Sequence, residues 1–596
     1  MKRHVDSTGI RDDRRSRRVP DPLEREPWSG LIPVGGGIAV SQVVRRAKAF
    51  RLGDILRSAS LFDLPLLAFA ACAVLASRAA YEPVSARDAA GWILLWSVVG
   101  VATGWGARSR RAWRACAFAA VACGAIGAAV FVTQYSSMSV ESKVGAVDAL
   151  GRLLSLPFPR WALWEPFSNS AATWFEGLFL LGIGASWDDR FGRFRAPLAA
   201  MSGVLGLGLI LTMSRGAWLG VLAGAACAGA MRWTPYHWRG TLAGASVMAT
   251  IGIGLAMTFD GGLAFVNQLS TMTGGVLARP DRMDIYRNSA TLLDAVGLTG
   301  LGPGGQFAQP FSRFALIIQV PFVTYPHQLS LHLWLAFGAL GVTAWAWWVG
   351  TSAAAIAAAE QYRSSPAFRG AWAGVVAVLV HGLSDARQAV DPWTWGPLFV
   401  LTGLIVARSR RLEARPHPSR FAWSWSCLIV VAVLAAARHV PLSAAWHSSL
   451  GHQLEARCLF GGPVVADHSA ACRLAIESYQ QAVVDDPGNA SVRRRLALVA
   501  AERGAFAEAL IHANVALESD PYSLATRKVA GLVAAWAGEE RLATGLLLTV
   551  PGSPDELLVW SGFWKDRGFA GAAQGARRVA LALMGHAPDS DAGERR

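Results

Sequence analysis

The sequence predicts an α-helical polytopic membrane protein that is followed by an all-α solenoid of helical repeats. The 596-residue chain is 53% hydrophobic and only 16% charged, and it holds 25 Trp, whereas soluble domains are about 25% charged. Its apolar residues form eleven runs, most of them close to the ~20 residues that cross a bilayer as one helix. The C-terminal part lacks such runs and instead repeats with a period of 34 residues.

The apolar runs define a membrane domain over residues 61–437, with about eleven transmembrane helices. Their lengths vary, which tilt of the helices accommodates. The longest break between runs is loop 259–327. The predicted spans are 61–79, 90–107, 113–134, 171–186, 196–213, 216–231, 240–258, 328–358, 370–384, 393–407 and 421–437.

Basic residues determine the orientation of the spans, because loops on the cytoplasmic side are enriched in Lys and Arg. With the N-terminus inside, the inner loops hold two or more arginines each, and the three shortest outer connections hold one each, Arg87, Arg215 and Arg387. An odd number of spans then places loop 259–327 and the C-terminal domain outside the cytoplasm. The net charge of +15 lies mainly between apolar runs. This distribution fits contact with anionic lipid and excludes a nucleic-acid-binding face.

Residues 1–60 form a basic cytoplasmic region. No apolar segment of a cleavable signal peptide follows the Arg-rich start, so we expect the first span to act as the targeting signal. Residues 39–58 combine apolar and basic positions at helical spacing. This pattern fits either a helix lying on the inner leaflet or a polar lead-in to the first span.

Residues 440–585 predict a second domain. The pair Asp486-Pro487 recurs 34 residues later as Asp520-Pro521, and Gly504 and Gly538 have the same spacing. A helix–turn–helix period of 34 residues is the tetratricopeptide signature. Such repeats stack and present a concave surface to partners, although a stabilising cap over the membrane domain is the alternative role. Residues 586–596 are expected to form a disordered tail.

Five of the seven cysteines lie in apolar runs and are expected to be packing residues. The remaining two, Cys458 and Cys472, belong to the C-terminal domain. An extracytoplasmic location allows a disulfide between them, but their spacing alone does not show that they meet.

Two stretches at the ends of apolar runs carry the candidate chemistry, Thr212–Trp218 and Tyr325–Leu329. On the predicted topology, Arg215 and His327 both face outside. A guanidinium binds pyrophosphate and an imidazole accepts a proton from a hydroxyl near neutral pH. The alternatives are an arginine that extends to the interface and a histidine that is merely hydrated.

Loop 259–327 and the end of span 370–384 supply further polar groups. A helix is expected to begin at Pro280, a residue that suits the first helical position, and to carry Arg282 and Arg287 on different faces. The glycine-rich stretch 300–305 predicts turns, with a phosphate cradle as the weaker alternative. His381 and Asp385 are four residues apart, so one helix face is expected to pair them. No outer segment has the ligand spacing of a catalytic zinc site.

These stretches together resemble the O-antigen ligase and O-antigen polymerase superfamily of bacterial envelope glycan enzymes, which includes protein O-oligosaccharyltransferases. The resemblance covers roughly residues 160–400 and the tail domain. Gln328 and Phe337 depart from the residues common at those positions, an Asn and an acidic residue. The stretches that carry the resemblance are 167–172, 212–218, 282–287, 300–307, 327–341 and 380–385.

The resemblance implies a GT-C-like membrane domain in the bacterial plasma membrane. It implies that Arg215, Arg282 and His327 are catalytic, in an inverting reaction without metal or other cofactor. The substrate would be a glycan on a polyprenyl pyrophosphate such as undecaprenyl pyrophosphate, and the acceptor a hydroxyl of a glycan, lipid or protein. The repeats would bind an envelope protein partner. The residues expected to bind substrate are Asn169, Arg287, His381 and Asp385.

Two other classes of protein compete with this interpretation. A polysaccharide flippase or transporter would show repeated halves and charges near the middle of the membrane. A non-catalytic membrane-anchored repeat scaffold would explain the tail but not the basic outer loop. Within the glycosyltransferase class, the sequence leaves polymerase, ligase and protein O-oligosaccharyltransferase open.

Overall fold

The computed structural model describes residues 63–138, 140, 142–159, 167–234, 280–318, 321–358, 364–409, 441–461 and 468–585. Throughout these ranges the chain forms helices, turns and loops and no β-strand. The predictions for residues 1–60, for the spans 240–258 and 421–437 and for the tail 586–596 lie outside the described residues.

The helices up to residue 409 form the membrane domain. Short 3₁₀, π and single-turn segments connect some of them. The longer helices are α1 (Leu64–Ala76), α2 (Pro83–Gly106), α3 (Arg110–Thr133), α4 (Gly145–Ser155), α5 (Ser168–Ser186), α6 (Arg195–Leu211), α7 (Arg215–Trp233), α8 (Pro280–Val296), α9 (Leu329–Ala358), α10 (Pro366–His381) and α11 (Gly396–Ser409).

Nine of the eleven predicted apolar runs coincide with helices of the structure, namely α1, α2, α3, α5, α6, α7, α9, α10 and α11. Among the described residues, four helical segments are long and apolar enough to cross a membrane, and α1 and α10 are apolar but shorter. The number of eleven spans stays a prediction. The four segments are Pro83–Gly106, Arg110–Thr133, Asp189–Leu211 and Leu329–Ala353.

Helix α10 lies at the centre of the membrane domain and packs against α5 and α7. Small residues permit this close packing, because helices in lipid associate where their backbones approach. A Cβ atom on Gly374 would lie 2.6 Å from the carbonyl oxygen of Gly177, and one on Gly220 would lie 2.5 Å from that of Ala377. The backbones of the three helices therefore approach closely at these glycines.

Helix α9 is interrupted at Gly338, whose φ is +69° and ψ is −173°. The glycine-rich turn after α8 fits into this interruption. The amide of Leu301 donates to the Leu335 carbonyl at 2.7 Å, and the amide of Gly302 donates to the Ala336 carbonyl at 2.9 Å. Carbonyls freed by a break in an apolar helix need such donors. Because these two amides already donate to carbonyls of α9, they are not available to bind phosphate. This favours the plain turn over a phosphate cradle.

The C-terminal domain consists of consecutive antiparallel helix pairs. Gly504 and Gly538 have φ values of +80° and +89° at equivalent turns, so the 34-residue period coincides with a structural repeat. Its assignment as tetratricopeptide stays a prediction. Cys458 and Cys472 form a disulfide that joins α12 to α13. The helices are α12 (Leu442–Phe460), α13 (His468–Asp485), α14 (Ala490–Glu502), α15 (Phe506–Ser519), α16 (Leu524–Ala537), α17 (Glu540–Leu547), α18 (Ser553–Asp566) and α19 (Ala570–Gly585).

Candidate functional site

The candidate residues gather at one end of the membrane domain. Helices α5 and α7 begin there and α10 ends there. The amide of Leu329, at the start of α9, donates to the Gly382 carbonyl at 2.7 Å. A Cβ atom on Gly216 would lie 2.5 Å from Ser384 Oγ and 2.8 Å from His381 Cδ2. The segments that carry Arg215, His327 and His381 are therefore in direct contact, although they are far apart in the sequence.

Arg215 is the first residue of α7. Ser214 caps this helix, since its Oγ accepts a hydrogen bond from the Ala217 amide at 3.4 Å. The Arg215 side chain is exposed, and it makes no hydrogen bond or ion pair with any described residue. The positive end of the helix dipole adds to its charge. Together the helix end and the guanidinium form a surface suited to an anion.

A buried polar chain lies directly beneath Arg215. His381 Nε2 lies 3.3 Å from Ser214 Oγ, and His381 Nδ1 lies 3.1 Å from Glu176 Oε1. His381 and Glu176 are 1% and 0% exposed. A charged or polar pair inside a membrane domain is costly unless its members satisfy each other. The chain links the middle of α5 to the cap of α7, and it thereby sets the position of Arg215.

Arg282 reaches the same place from α8. Its Nη1 donates to the carbonyl of Ser384 at 2.5 Å, next to the point where Gly216 contacts the Ser384 side chain. Tyr286, one turn further along α8, donates from its hydroxyl to the carbonyl of His327 at 3.3 Å. One face of α8 therefore contacts both the Arg215 side and the His327 side of the site.

His327 has a left-handed backbone conformation, with φ of +53°. Such a conformation is uncommon for a residue other than glycine and often marks a functional site. The ring is half-buried, and its centroid lies 4.1 Å from that of Tyr325. Burial, and then the negative charge of Asp385, raise the pKa of Tyr325. The Tyr325 phenol therefore stays protonated as a hydrogen-bond donor beside the imidazole.

Asp385 and Asp391 hold the entry to α5 at this end. Asp385 accepts a hydrogen bond from the Asn169 side-chain amide and another, at 2.7 Å, from the Arg387 amide. Asp391 accepts from Ser170 Oγ, and it pairs with Arg387 Nε at 3.0 Å. These contacts fasten the first turn of α5 to the segment after α10.

The Arg387 guanidinium also contacts two aromatic rings at this end of the membrane domain. Its guanidinium lies over the Phe167 ring, 3.6 Å from the centroid, and 5.5 Å from the Tyr325 centroid. Stacking of this kind keeps a cation near aromatic groups where water is partly excluded. Arg387 therefore joins the start of α5 to the segment that carries His327.

The structure corrects the predicted pairing of His381 with Asp385, and it places Arg287 apart from the other candidate residues. His381 and Asp385 do not form a pair on one helix face, because α10 ends at His381; the imidazole contacts Glu176 and Ser214 instead. Arg287 does not join the site. It is exposed and pairs with Asp284 on the same helix at 3.0 Å, because a separation of five residues turns it away from the face of Arg282.

Glu176 is a buried ionisable residue of the candidate site that the sequence analysis did not name. It is the only charged residue in the predicted span 171–186. An ionisable residue inside a span is a functional candidate by default, so the signal was available. Tyr286 belongs to the stretch 282–287 that carries the resemblance, but its hydrogen bond to the His327 carbonyl was not predicted. Phe337, where an acidic residue is common in the superfamily, is buried and packs on Phe69 with ring centroids 5.3 Å apart.

The repeat domain contacts the segment that precedes His327. Ile317 is 2% exposed within the main buried cluster of the repeat helices, with φ of +59°. Lys528 Nζ donates to the Leu316 carbonyl at 2.8 Å. Arg313 forms an ion pair with Glu502, and burial lowers the pKa of Arg313 to about 10. A β-branched residue at positive φ costs roughly 1–3 kcal/mol, so burial of Ile317 in the repeats offsets backbone strain.

The same domain also contacts the helix that carries Arg282. Ser449 Oγ donates to the Ala295 carbonyl, near the end of α8, at 3.3 Å. Gln453 Nε2 donates to the Gly300 carbonyl at 2.9 Å. Helix α12 therefore supports the end of α8 and the turn that fits into the break of α9. The repeats therefore contact both the segment that precedes His327 and the helix that carries Arg282.

Comparison with known proteins addresses the central part of the chain. Residues 198–346 match the family model described as Wzy_C, O-Antigen ligase. No curated protein and no solved structure matches the chain. The matched range contains Arg215, Arg282 and His327, whose segments lie at one end of the membrane domain. This match supports the O-antigen ligase superfamily for the part of the chain that carries the candidate site.

Proposed function

We propose that the protein is a membrane glycosyltransferase that moves or polymerises a glycan from a polyprenyl-pyrophosphate carrier onto an acceptor hydroxyl. The outer face of the bacterial plasma membrane is the proposed location. The observation that carries the proposal is the meeting of Arg215, Arg282 and His327 at one end of the bundle, with the Arg215 guanidinium exposed and without a partner among the described residues.

The two arginines are proposed to bind the pyrophosphate. Guanidinium groups match phosphate oxygens with two parallel hydrogen bonds. Arg215 is available for this contact, and the α7 N-terminus adds a partial positive charge. Arg282 donates one hydrogen bond to the Ser384 carbonyl, which fixes the direction of its guanidinium. Its other N–H groups can then donate to the ligand. Both charges then stabilise the lipid pyrophosphate as it leaves.

His327 is proposed to act as general base. The acceptor oxygen attacks the anomeric carbon, the carbon–oxygen bond to the pyrophosphate breaks, and the acceptor proton moves to the imidazole. The configuration at the anomeric carbon is inverted in a single displacement. General-base catalysis of this kind is worth about 10²–10⁴-fold. The hydrogen bond from Tyr286 to the His327 carbonyl supports the proposal, because it holds the strained backbone that aims the ring.

Asn169, His381 and Asp385 are proposed to position these groups. His381 acts on Arg215 through Ser214. Asn169 and Asp385 join the start of α5 to the segment whose Ser384 carbonyl receives Arg282. Each of them is engaged with protein groups, which supports a positioning role over direct contact with the glycan.

The test is transfer by the purified full-length protein, supplied with a polyprenyl-pyrophosphate-linked glycan and an acceptor. Arg215→Gln, Arg282→Gln and His327→Gln are expected to lose at least about 10²-fold in turnover while they keep the thermal stability of the unchanged protein. Arg287→Gln is the matched control, since Arg287 lies on the same helix as Arg282 and pairs only with Asp284 among the contacts described.

The products identify the reaction. Longer glycan on the lipid indicates a polymerase, and glycan moved to a lipid or protein acceptor indicates a ligase or a protein O-oligosaccharyltransferase. Full activity of the His327→Gln protein would contradict the general-base role. Lipid translocation without transfer, in a folded sample, would contradict the proposed function and favour a flippase.

A further inference from the structure

A cavity of about 290 Å³ lies at the other end of the membrane domain. It is walled by the start of α3, the 3₁₀ segment Asp189–Phe194 after α5, the start of α10 and the end of α11. Four arginines and one aspartate face it, together with three aromatic side chains and a serine. The lining residues are Arg110, Trp113, Arg114, Asp188, Arg190, Phe191, Ser365, Phe368 and Arg408.

This cavity is separated from the candidate site by the thickness of a bilayer core. Helix α5 has 19 residues, which at 1.5 Å per residue span roughly 28 Å; the hydrocarbon core is about 30 Å thick. The candidate site lies where α5 begins, and the cavity lies beyond its end. The cavity therefore opens at the opposite membrane–water boundary, where phospholipid head groups are found.

The cavity has the electrostatics of an anion site. Its lining contains four guanidinium groups and one carboxylate, an excess of three positive charges. The carboxylate, Asp188, already accepts a hydrogen bond from Ser365 Oγ and lies 3.6 Å from Arg190 Nη1. Helices α3 and α10 both begin at this point, capped by Ser109 and Ser365, so two positive dipole ends add to the charge.

Its walls also suit a ligand that is only partly polar. Arg408 is 5% exposed, and its guanidinium lies 5.0 Å from the centre of the Trp113 ring. Trp113 is held by a hydrogen bond of 2.9 Å from its indole nitrogen to the Leu404 carbonyl. Phe191 and Phe368 are buried beside it. A charged group set among fixed aromatic rings fits a phosphate attached to an apolar body better than a fully hydrated ion.

We propose that this cavity binds the phosphate group of an anionic phospholipid from the leaflet opposite the candidate site. The arginines hold the phosphate oxygens, and the aromatic walls contact the glycerol backbone. Because α3, α5, α10 and α11 all meet at the cavity, the bound lipid stabilises the bundle that carries Glu176 and His381. This inference is independent of the proposed transferase activity.

The test measures lipid binding by the full-length protein in detergent, with native mass spectrometry and thermal unfolding. Phosphatidylglycerol, phosphatidylcholine and inorganic phosphate are added separately. The expected result is retention of phosphatidylglycerol and a rise of the melting temperature with that lipid alone. Arg110→Gln/Arg114→Gln is expected to weaken binding roughly thirtyfold, since the two basic residues near anionic lipid together contribute about 2 kcal/mol.

Arg111→Gln/Arg193→Gln is the matched control. It removes the same number of positive charges, one from the first turn of α3 and one from the 3₁₀ segment that walls the cavity, but neither residue lines the cavity. The control is expected to bind as the unchanged protein does. Arg110→Gln alone, at an exposed position, covers the case in which the double variant fails to fold; it is expected to show a smaller loss in the same direction.

Three results would overturn the proposal. Equal losses of phosphatidylglycerol binding in the cavity and control variants would show that binding depends on the overall positive charge and not on the cavity. Equal binding of phosphatidylcholine would show that the anionic head group is not recognised. A rise in melting temperature with inorganic phosphate as large as that with phosphatidylglycerol would assign the cavity to a soluble phosphate instead of a lipid.

Discussion

His381 Nδ1 lies 3.1 Å from Oε1 of Glu176, and both side chains are fully enclosed by the membrane domain. The other ring nitrogen of His381 lies 3.3 Å from the Ser214 hydroxyl. An imidazole held on both sides has one orientation and little freedom to turn. This contact joins a carboxylate in the middle of α5 to Ser214, the cap of α7 that directly precedes Arg215.

Removal of the carboxylate is expected to lower both stability and activity. Glu176→Ala leaves His381 buried without its partner, which typically costs about 3–5 kcal/mol. Glu176→Gln keeps a hydrogen-bond acceptor and is expected to retain more of the fold. Thermal unfolding and glycan transfer measure the two effects. If Glu176→Ala melts at the temperature of the unchanged protein, the pair does not hold the site together.

Loss of the α7 cap is expected to act mainly on catalysis. Ser214→Ala removes the hydroxyl that accepts from the Ala217 amide and contacts His381, at a stability cost of about 1 kcal/mol. Ser202→Ala is the matched control, because Ser202 is equally buried but bonds only to its own helix through the Leu198 carbonyl. We expect a lower kcat for Ser214→Ala alone, and equal rates for the two variants would contradict the role of the cap.

Hydrogen exchange can test whether the repeat domain stabilises the segment 311–318 that precedes His327. Ile317→Ala removes a side chain buried in the repeats, a change that costs about 2–5 kcal/mol in a packed core. Hydrogen exchange over residues 311–318 is expected to accelerate and glycan transfer to fall. Ile511→Ala serves as the control, since Ile511 lies on α15 and is 64% exposed. Unchanged exchange in the Ile317 variant would show that the repeats do not hold the segment.

The stability of the repeat domain is expected to decrease in acid through His452. Burial lowers the pKa of His452 to about 4 from its ordinary 6.5. Between those two values the unfolded chain binds a proton that the folded chain excludes, so stability falls as pH falls from 6.5 towards 4. The full effect is on the order of 3 kcal/mol.

The measurement is the melting temperature of the full-length protein, followed by Trp fluorescence between pH 7.5 and 5. His452→Gln is expected to flatten this dependence, since Gln does not titrate. His512→Gln is the control, because His512 is only partly buried on α15. If the pH dependence persists in the His452 variant and disappears in the His512 variant, His512 causes it, and the prediction for His452 is contradicted.

Several features of the site were predictable from the sequence because they depend on neighbours along the chain. Pro280 begins α8 as its fixed φ favours, and Gly504 and Gly538 occupy turns that need positive φ. Arg215 stands at a helix start because Ser214 is a good cap. The separation of Arg282 and Arg287 on different faces of α8 was likewise predictable from their spacing of five residues.

The hydrogen-bond partners of the polar side chains could not be predicted from neighbouring residues in the sequence. His381 was assigned to Asp385, four residues away, whereas the structure pairs it with Glu176, 205 residues away. Local spacing favours the near partner only while the helix continues, and α10 ends at His381. The contact of Ile317 with the repeats was likewise not predictable, because the short apolar stretch 314–318 does not indicate which domain buries it.

The sequence by itself determined the helical membrane domain, the helical repeats and the residue types of the site, because hydrophobic runs, caps and turn residues act over a few positions. Tertiary structure alone decided which residues meet. Close approach of α5, α7 and α10 through glycine contacts brings Glu176, Ser214 and His381 into one chain. Such distances depend on the packing of whole helices, which no short stretch of sequence specifies.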